Sequence, residues 1–180
     1  MPLTIHRKNG LRAVALTALT ALLTGACMSR PTDDINAPLP RKSRADTLAW
    51  AKRYTATMAH FAGVDLAHGP SPRTHFEDCV GKGDEVATDG RFTLTYAAYA
   101  HLPAGEHIAA VRKLRDALKG HGVDVSDYTE DQDQPAVTLY GRNTTERFLI
   151  IADTVKPADT LRLSVSTSCF LPPGAEQQKF

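Results

Sequence analysis

Three cysteines, Cys27, Cys79 and Cys169, carry the widest choice of chemistry in this 180-residue chain. An odd number cannot pair completely within one molecule, so at least one sulfur is free, intermolecular or modified. No two of them stand in Cys-x-x-Cys spacing, which argues against a redox enzyme. Beyond the amino-terminal stretch the histidines are His60, His68, His75, His101, His107 and His121. None falls in a metal-ligand spacing such as His-Glu-x-x-His, and they read as scattered surface residues. Asp124, Asp127, Glu130, Asp131 and Asp133 offer carboxylate oxygens to Ca²⁺ but lack the register of a calcium loop, so a solvated hairpin is expected.

Gly81-Lys82-Gly83 is too short to cradle a phosphate, and no Gly-x-Ser-x-Gly elbow marks a nucleophile. Asn143-Thr144-Thr145 matches a glycosylation sequon but sits where a hairpin turn is expected. No catalytic residue, metal ligand or cofactor is therefore assigned. With 21 Lys and Arg against 20 Asp and Glu, the formal charge of +1 gives no uniform field for nucleic acid. The 42% hydrophobic content is that of an ordinary globular domain.

The amino end has the pattern of an export signal. Arg7, Lys8 and Arg12 precede an uncharged apolar run from Ala13 to Leu23, followed by small residues. The run is shorter than the roughly 18 to 20 residues a membrane-spanning helix needs. It is expected to be a signal peptide over residues 1–26. Its removal takes Arg7, Lys8 and Arg12 with it and leaves 18 basic against 20 acidic residues, so anionic lipid gains no net attraction.

The segment Leu22-Leu23-Thr24-Gly25-Ala26-Cys27 resembles the lipobox of bacterial lipoprotein precursors, in which small residues stand directly before an invariant cysteine. Thr24 departs from that pattern, since the family places an aliphatic residue there. The resemblance implies a diacylglyceryl thioether on Cys27, cleavage before it, and a membrane partner reached through acyl chains on the extracytoplasmic face. Ordinary cleavage after Ala26, which leaves a free amino-terminal Cys27, is the rival reading.

Residues 27–42 contain Pro31, Pro38 and Pro40 without an apolar period and read as a flexible, lipid-anchored spacer. Residues 43–171 read as one globular domain, and residues 172–180 as a frayed tail. Ser43-Arg44-Ala45-Asp46 has capping-box spacing, and behind it Leu48, Ala51, Tyr54, Met58 and Phe61 form a helical stripe ending at Gly63. His75 to Val80 reads as a short strand or irregular segment, and Phe92, Leu94 and Tyr96 alternate with threonines as a strand. A second helix opens at Pro103, with Ile108, Val111, Leu114 and Leu118 inward and Arg112, Lys113, Arg115 and Lys119 on a solvated face. Val123–Tyr128, Ala136–Tyr140, Arg147–Val155 and Leu161–Phe170 are the remaining strands. Short turns favour antiparallel pairing. The expected fold is α+β and two-layered, an antiparallel sheet of about five strands with two helices packed on one face.

In the last strand Leu161, Leu163, Val165, Thr167 and Cys169 share one side, so Cys169 is expected to face the core. If lipid takes Cys27, then Cys79 and Cys169 remain as an even pair for one disulfide in an exported chain; two buried free thiols are the alternative. The succession of helix, Cys79, the strand Arg91–Tyr99, helix, hairpin and Ser166-Thr167-Ser168-Cys169-Phe170 also resembles small uncharacterised lipoproteins of actinobacteria. That resemblance implies fold and localisation but no activity.

The sheet residues alternating away from the core include Thr93, Thr95, Thr138, Tyr140, Arg162, Ser164 and Ser166. Hydroxyls, an aromatic ring and a guanidinium on one rigid surface suit a polar ligand or an envelope protein or polymer partner; an ordinary solvated face explains them as well. The functional expectation is a membrane-anchored extracytoplasmic lipoprotein with a non-catalytic binding or accessory domain. A small envelope hydrolase, its site assembled from residues distant in sequence, is the alternative.

Overall fold

Ser43 starts the first helix as its composition demands. Its Oγ accepts from the Asp46 N–H at 3.0 Å, and Gly63 closes α1 (Arg44–Ala62) in the left-handed region at φ 71°. The computed structural model describes residues 34–157 and 159–180; the expected signal peptide, Cys27 and the first part of the expected spacer lie outside the described residues. After α1 come β1 (Arg73–Asp78), β2 (Phe92–His101), α2 (Ala104–Gly120), β3 (Val123–Asp131), β4 (Ala136–Asn143), β5 (Phe148–Val155) and β6 (Thr160–Thr167).

The strands form one antiparallel sheet in the order β1-β2-β6-β5-β4-β3. It has six strands and not five: the segment read as a short strand from His75 begins at Arg73 and is a full edge strand. Its residues are nearly all exposed, so no apolar alternation announces it. The last strand stops at Thr167, and Phe170 returns only as an isolated bridge to Phe92.

Alternation along the strands sends Leu94, Tyr96, Ala98 and Ala100 of β2 to the same side as Leu161, Leu163 and Val165 of β6 and Ile150 and Ala152 of β5. Both helices cover that side, α1 over β2 and β6, α2 over β3, β4 and β5. Helix α2 buries Ile108, Val111, Leu114 and Leu118 as its stripe predicts.

Helix α1 is rotated from expectation. Thr47, Ala51, Thr55, Met58, Ala59 and Ala62 are buried, while Leu48, Tyr54 and Phe61 are only partly covered. The reason is polar satisfaction. Thr47 and Thr55 donate their hydroxyls to the carbonyls of Ser43 at 2.8 Å and Ala51 at 3.0 Å, so they are buried with their polar atoms satisfied. Small residues on this side let the helix approach closely.

His107, read as a surface histidine, is fully buried. Its Nε2–H donates to the Leu102 carbonyl at 2.8 Å, and its Nδ1 accepts from the Thr154 hydroxyl at 2.9 Å. Thr154 Oγ1 in turn accepts from the Val137 N–H at 3.2 Å. This chain ties the start of α2 to β4 and β5, and each polar atom in it has a partner.

Cys79 and Cys169 are bonded, with Cα atoms 6.2 Å apart. They flank the start of β2: the Cys79 N–H donates to the Arg91 carbonyl at 3.2 Å, and Phe92 and Phe170 exchange backbone bonds at 2.9 and 2.8 Å. The bridge thus fastens the end of β1 to the end of β6 across β2. Closing a separation of 90 residues removes loop-closure entropy from the unfolded chain, about 4 to 5 kcal/mol in the chain-entropy model.

The expected spacer and tail meet each other. The Asn36 side chain bonds both the carbonyl and the N–H of Phe180, at 3.0 and 2.8 Å, and Gln177 Oε1 accepts from the Leu39 N–H at 2.9 Å. Arg41 to Leu171 forms a parallel bridge, with Leu171 and Lys42 donating to Pro40 and Leu171 carbonyls at 3.0 Å each. Beneath them Arg91 and Asp89, both almost fully buried, form an ion pair with Arg91 Nε 2.9 Å from either carboxylate oxygen. Asp89 also accepts from the Gln178 N–H at 2.8 Å, Arg91 donates to the Gln178 carbonyl, and the guanidinium lies 4.8 Å from the Phe180 ring centre. Polar side chains without an apolar period do the holding, which is why periodicity misses it.

Replacing Cys79 and Cys169 together by Ala is expected to lower unfolding free energy by about 2 to 5 kcal/mol in urea; an unchanged midpoint contradicts the structural role of the bridge. The Arg91 guanidinium holds the Asp89 carboxyl down at about 2, below its ordinary 3.8. Its stabilisation is therefore present above the ordinary value and lost as pH falls through about 2. Between about pH 4 and pH 2 the wild type should lose more stability than Asp89→Asn, and equal slopes contradict the assignment.

Candidate functional site

The side of the sheet away from the helices carries no covering element among the described residues. Strand register brings the expected face together. Thr95 lies opposite Ser166, and Ser166 opposite Leu149; Ser164 lies opposite Ala97 and Ile151, and Ile151 opposite Tyr140; Arg162 lies opposite Tyr99 and Asp153, and Asp153 opposite Thr138. With Thr93 one step along β2 from Thr95, all seven expected residues share this surface on neighbouring strands. Register establishes their proximity, while their role in binding is a separate matter.

Arg162 and Asp153 form a two-pronged pair, Nε to Oδ1 at 2.8 Å and Nη2 to Oδ2 at 2.7 Å. The carboxylate beside it raises the affinity of the Arg162 guanidinium for its proton, the largest of several influences. The pair makes the middle of the face locally neutral. Thr95 and Ser166 share a hydroxyl hydrogen bond at 3.0 Å. Ser164 and Ala97 form a floor, 5% and 7% exposed, below the larger side chains around them. Tyr140 and Leu149 stand out from it, each 43% exposed.

The floor explains a residue that looked solvated in the sequence. Ser164 is on the uncovered face yet buried, because short side chains between long ones are shielded without a second layer. Sequence reasoning missed Ala97, Tyr99, Leu149, Ile151 and Asp153 as members of this surface. The signal was available: two-residue alternation from Tyr96 puts Ala97 and Tyr99 outward, and alternation from Ile150 puts Leu149, Ile151 and Asp153 outward. Leu149 and Ile151 lie on β5, a central strand of the sheet.

The acidic run flanks this face at the sheet edge. Asp124, Asp127 and Asp131 sit on the uncovered side of edge strand β3, opposite Arg142, Tyr140 and Ala136, whereas Glu130 turns to the helix side. There Glu130 takes Arg112 Nε at 2.6 Å and the Tyr128 hydroxyl. The Arg112 guanidinium keeps the Glu130 carboxyl down at about 2, and burial together with Glu130 pushes the Tyr128 phenol up to about 12. Arg115 lies 4.5 Å from the Tyr128 ring centre, so part of the basic α2 face is occupied in holding β3. Among the described residues no three His, Cys, Asp or Glu side chains are grouped to hold a metal ion. Asn143 caps its own turn, accepting from the Glu146 N–H at 2.8 Å.

A groove of about 590 Å³ lies at the end of the sheet, between Pro38–Pro40, Trp50, the β4–β5 turn and Phe170. Lys42 partly fills it, its Nζ 5.2 Å from the Trp50 ring centre and 5.5 Å from that of Phe170. No protein-family model matches the chain, and neither a curated protein nor a solved structure shows significant similarity to it.

Proposed function

We propose that this chain is an exported lipoprotein, held by acyl chains on Cys27 at the extracytoplasmic face of a membrane, whose folded part is a non-catalytic binding or accessory domain. Its binding surface is the uncovered sheet face, and its partner is a protein or polymer of the cell envelope. The observation that carries this reading is the assembly of hydroxyls, Tyr140 and the Arg162–Asp153 pair on one surface that no described element covers. A sheet backbone fixes such groups at low entropic cost, so a partner need not order them on binding.

The bonded pair Cys79–Cys169 supports export, because such bridges persist in oxidising compartments and are rare where thiols are kept reduced. It also leaves Cys27 as the sulfur available for lipid. Among the described residues no helix is long and apolar enough to cross a membrane. Accessory or binding character is favoured over hydrolysis because the central strands of the face offer paired groups, Arg162 with Asp153 and Thr95 with Ser166, rather than a base aimed at a nucleophile.

Two measurements test it. Mass spectrometry of the protein purified from membranes should find Cys27 as the first residue, carrying acyl chains; retained Met1 or an unmodified Cys27 contradicts the anchor. Tyr140→Ala removes a half-exposed ring without opening the core, so folding should be unchanged while retention on an insoluble envelope fraction falls by about tenfold. Retention equal to wild type for this variant contradicts the face as the binding surface.

A further inference from the structure

Strand β1 ends the sheet, and apart from β2 no described strand pairs with it. Five of its six residues are exposed, with Phe76 partly covered. Its outer row of backbone N–H and C=O groups is therefore open to another strand. Which strand fits is written in its sequence, Arg73-Thr74-His75-Phe76-Glu77-Asp78. Register with β2 puts Arg73, His75 and Glu77 on the uncovered face, opposite Ala97, Thr95 and Thr93. Charge on that face runs from a cation at one end of the strand to an anion at the other.

We propose that β1 pairs antiparallel with β1 of a second copy of this chain, about a two-fold axis normal to the sheet at His75. Facing residues in an antiparallel pair must share a face, so odd positions meet odd positions. The register centred on His75 sets Arg73 opposite Glu77 of the second copy and, by symmetry, Glu77 opposite its Arg73. His75 meets His75, and Thr74 meets Phe76. In-register parallel pairing would instead oppose Arg73 to Arg73 and Glu77 to Glu77, which like charges disfavour. Charges on an edge strand normally discourage association. Here their order selects one arrangement out of several.

The partners are free to take up these contacts. Among the described residues Arg73 has no ion pair, its guanidinium lying 6.0 Å from the Tyr99 ring centre, and Glu77 has only the exposed His75 Nε2 at 3.0 Å. Asp78, by contrast, is engaged by Arg44 at 3.3 Å and falls on the helix side. Two short strands bury less than the roughly 1,200 Å² of a standard interface, so the dimer is weak and dissociates on dilution. Its consequence is geometric: the uncovered faces of both copies join into one surface.

The test is charge reversal on the full chain, by sedimentation equilibrium up to about 0.5 mM, a range suited to a small interface. Wild type is expected to dimerise reversibly. R73E and E77R each bring like charges together and should weaken association by about tenfold, while R73E/E77R restores it to within about threefold. Exposed edge positions leave the thermal midpoint unchanged, which separates loss of pairing from loss of fold. As a register check, H75C should oxidise to a disulfide-linked dimer faster than R73C, because only position 75 meets itself. A wild type that stays monomeric throughout, a double variant that fails to recover, or equal cross-linking of H75C and R73C overturns the proposal. Neither the charge swap nor the register comparison depends on what the uncovered face binds.

Discussion

Insertion of β6 between β2 and β5 is the constraint on which the rest of this fold depends. It joins a hairpin made from the first half of the domain, β1 and β2, to a meander made from the second, β3 to β5. Without β6 the halves share no ladder. The chain must therefore close the long loop between β2 and β6, and the side chains that reward closure are Leu161, Leu163 and Val165, none with any exposed surface. Cys169 stands directly beyond that strand. Its bond to Cys79 spans β2 and holds the two sides of the junction together at one end.

The same arrangement decides where function can lie. A two-layer fold with both helices on one side leaves the other side of a six-stranded sheet to solvent or to a partner. The uncovered face carries hydroxyls, a neutralised arginine and shielded small residues, with Tyr140 and Leu149 standing out from them. The clasp between Asn36, Gln177, Gln178 and Phe180 sets a second limit, because the chain is fastened to the domain from Asn36 onward.

Much of the architecture was legible because single residues announced it. Ser43 and Gly63 mark both ends of α1, the inward stripe of α2 names four core residues, and the alternation of β6 is written from Leu161 to Thr167. The seven residues assigned to the outward face follow from the same two-residue period, and register brings them together. Where polarity and burial part company, legibility fails. Thr47 and Thr55 are buried because local backbone carbonyls absorb their hydroxyls, and His107 because Leu102 and Thr154 satisfy both ring nitrogens. β1 was half seen, being an edge with polar residues on both sides. The clasp was not seen at all, since Asn, Gln and a buried Arg–Asp pair have no period to betray them.

The sulfur arrangement is open to one direct measurement, peptide mapping of the protein isolated without reductant and with free thiols blocked at lysis. One cross-linked species joining the Cys79 peptide to the Cys169 peptide is expected, with neither found in blocked form. Recovery of either cysteine as a blocked thiol, or linked to Cys27, would contradict it.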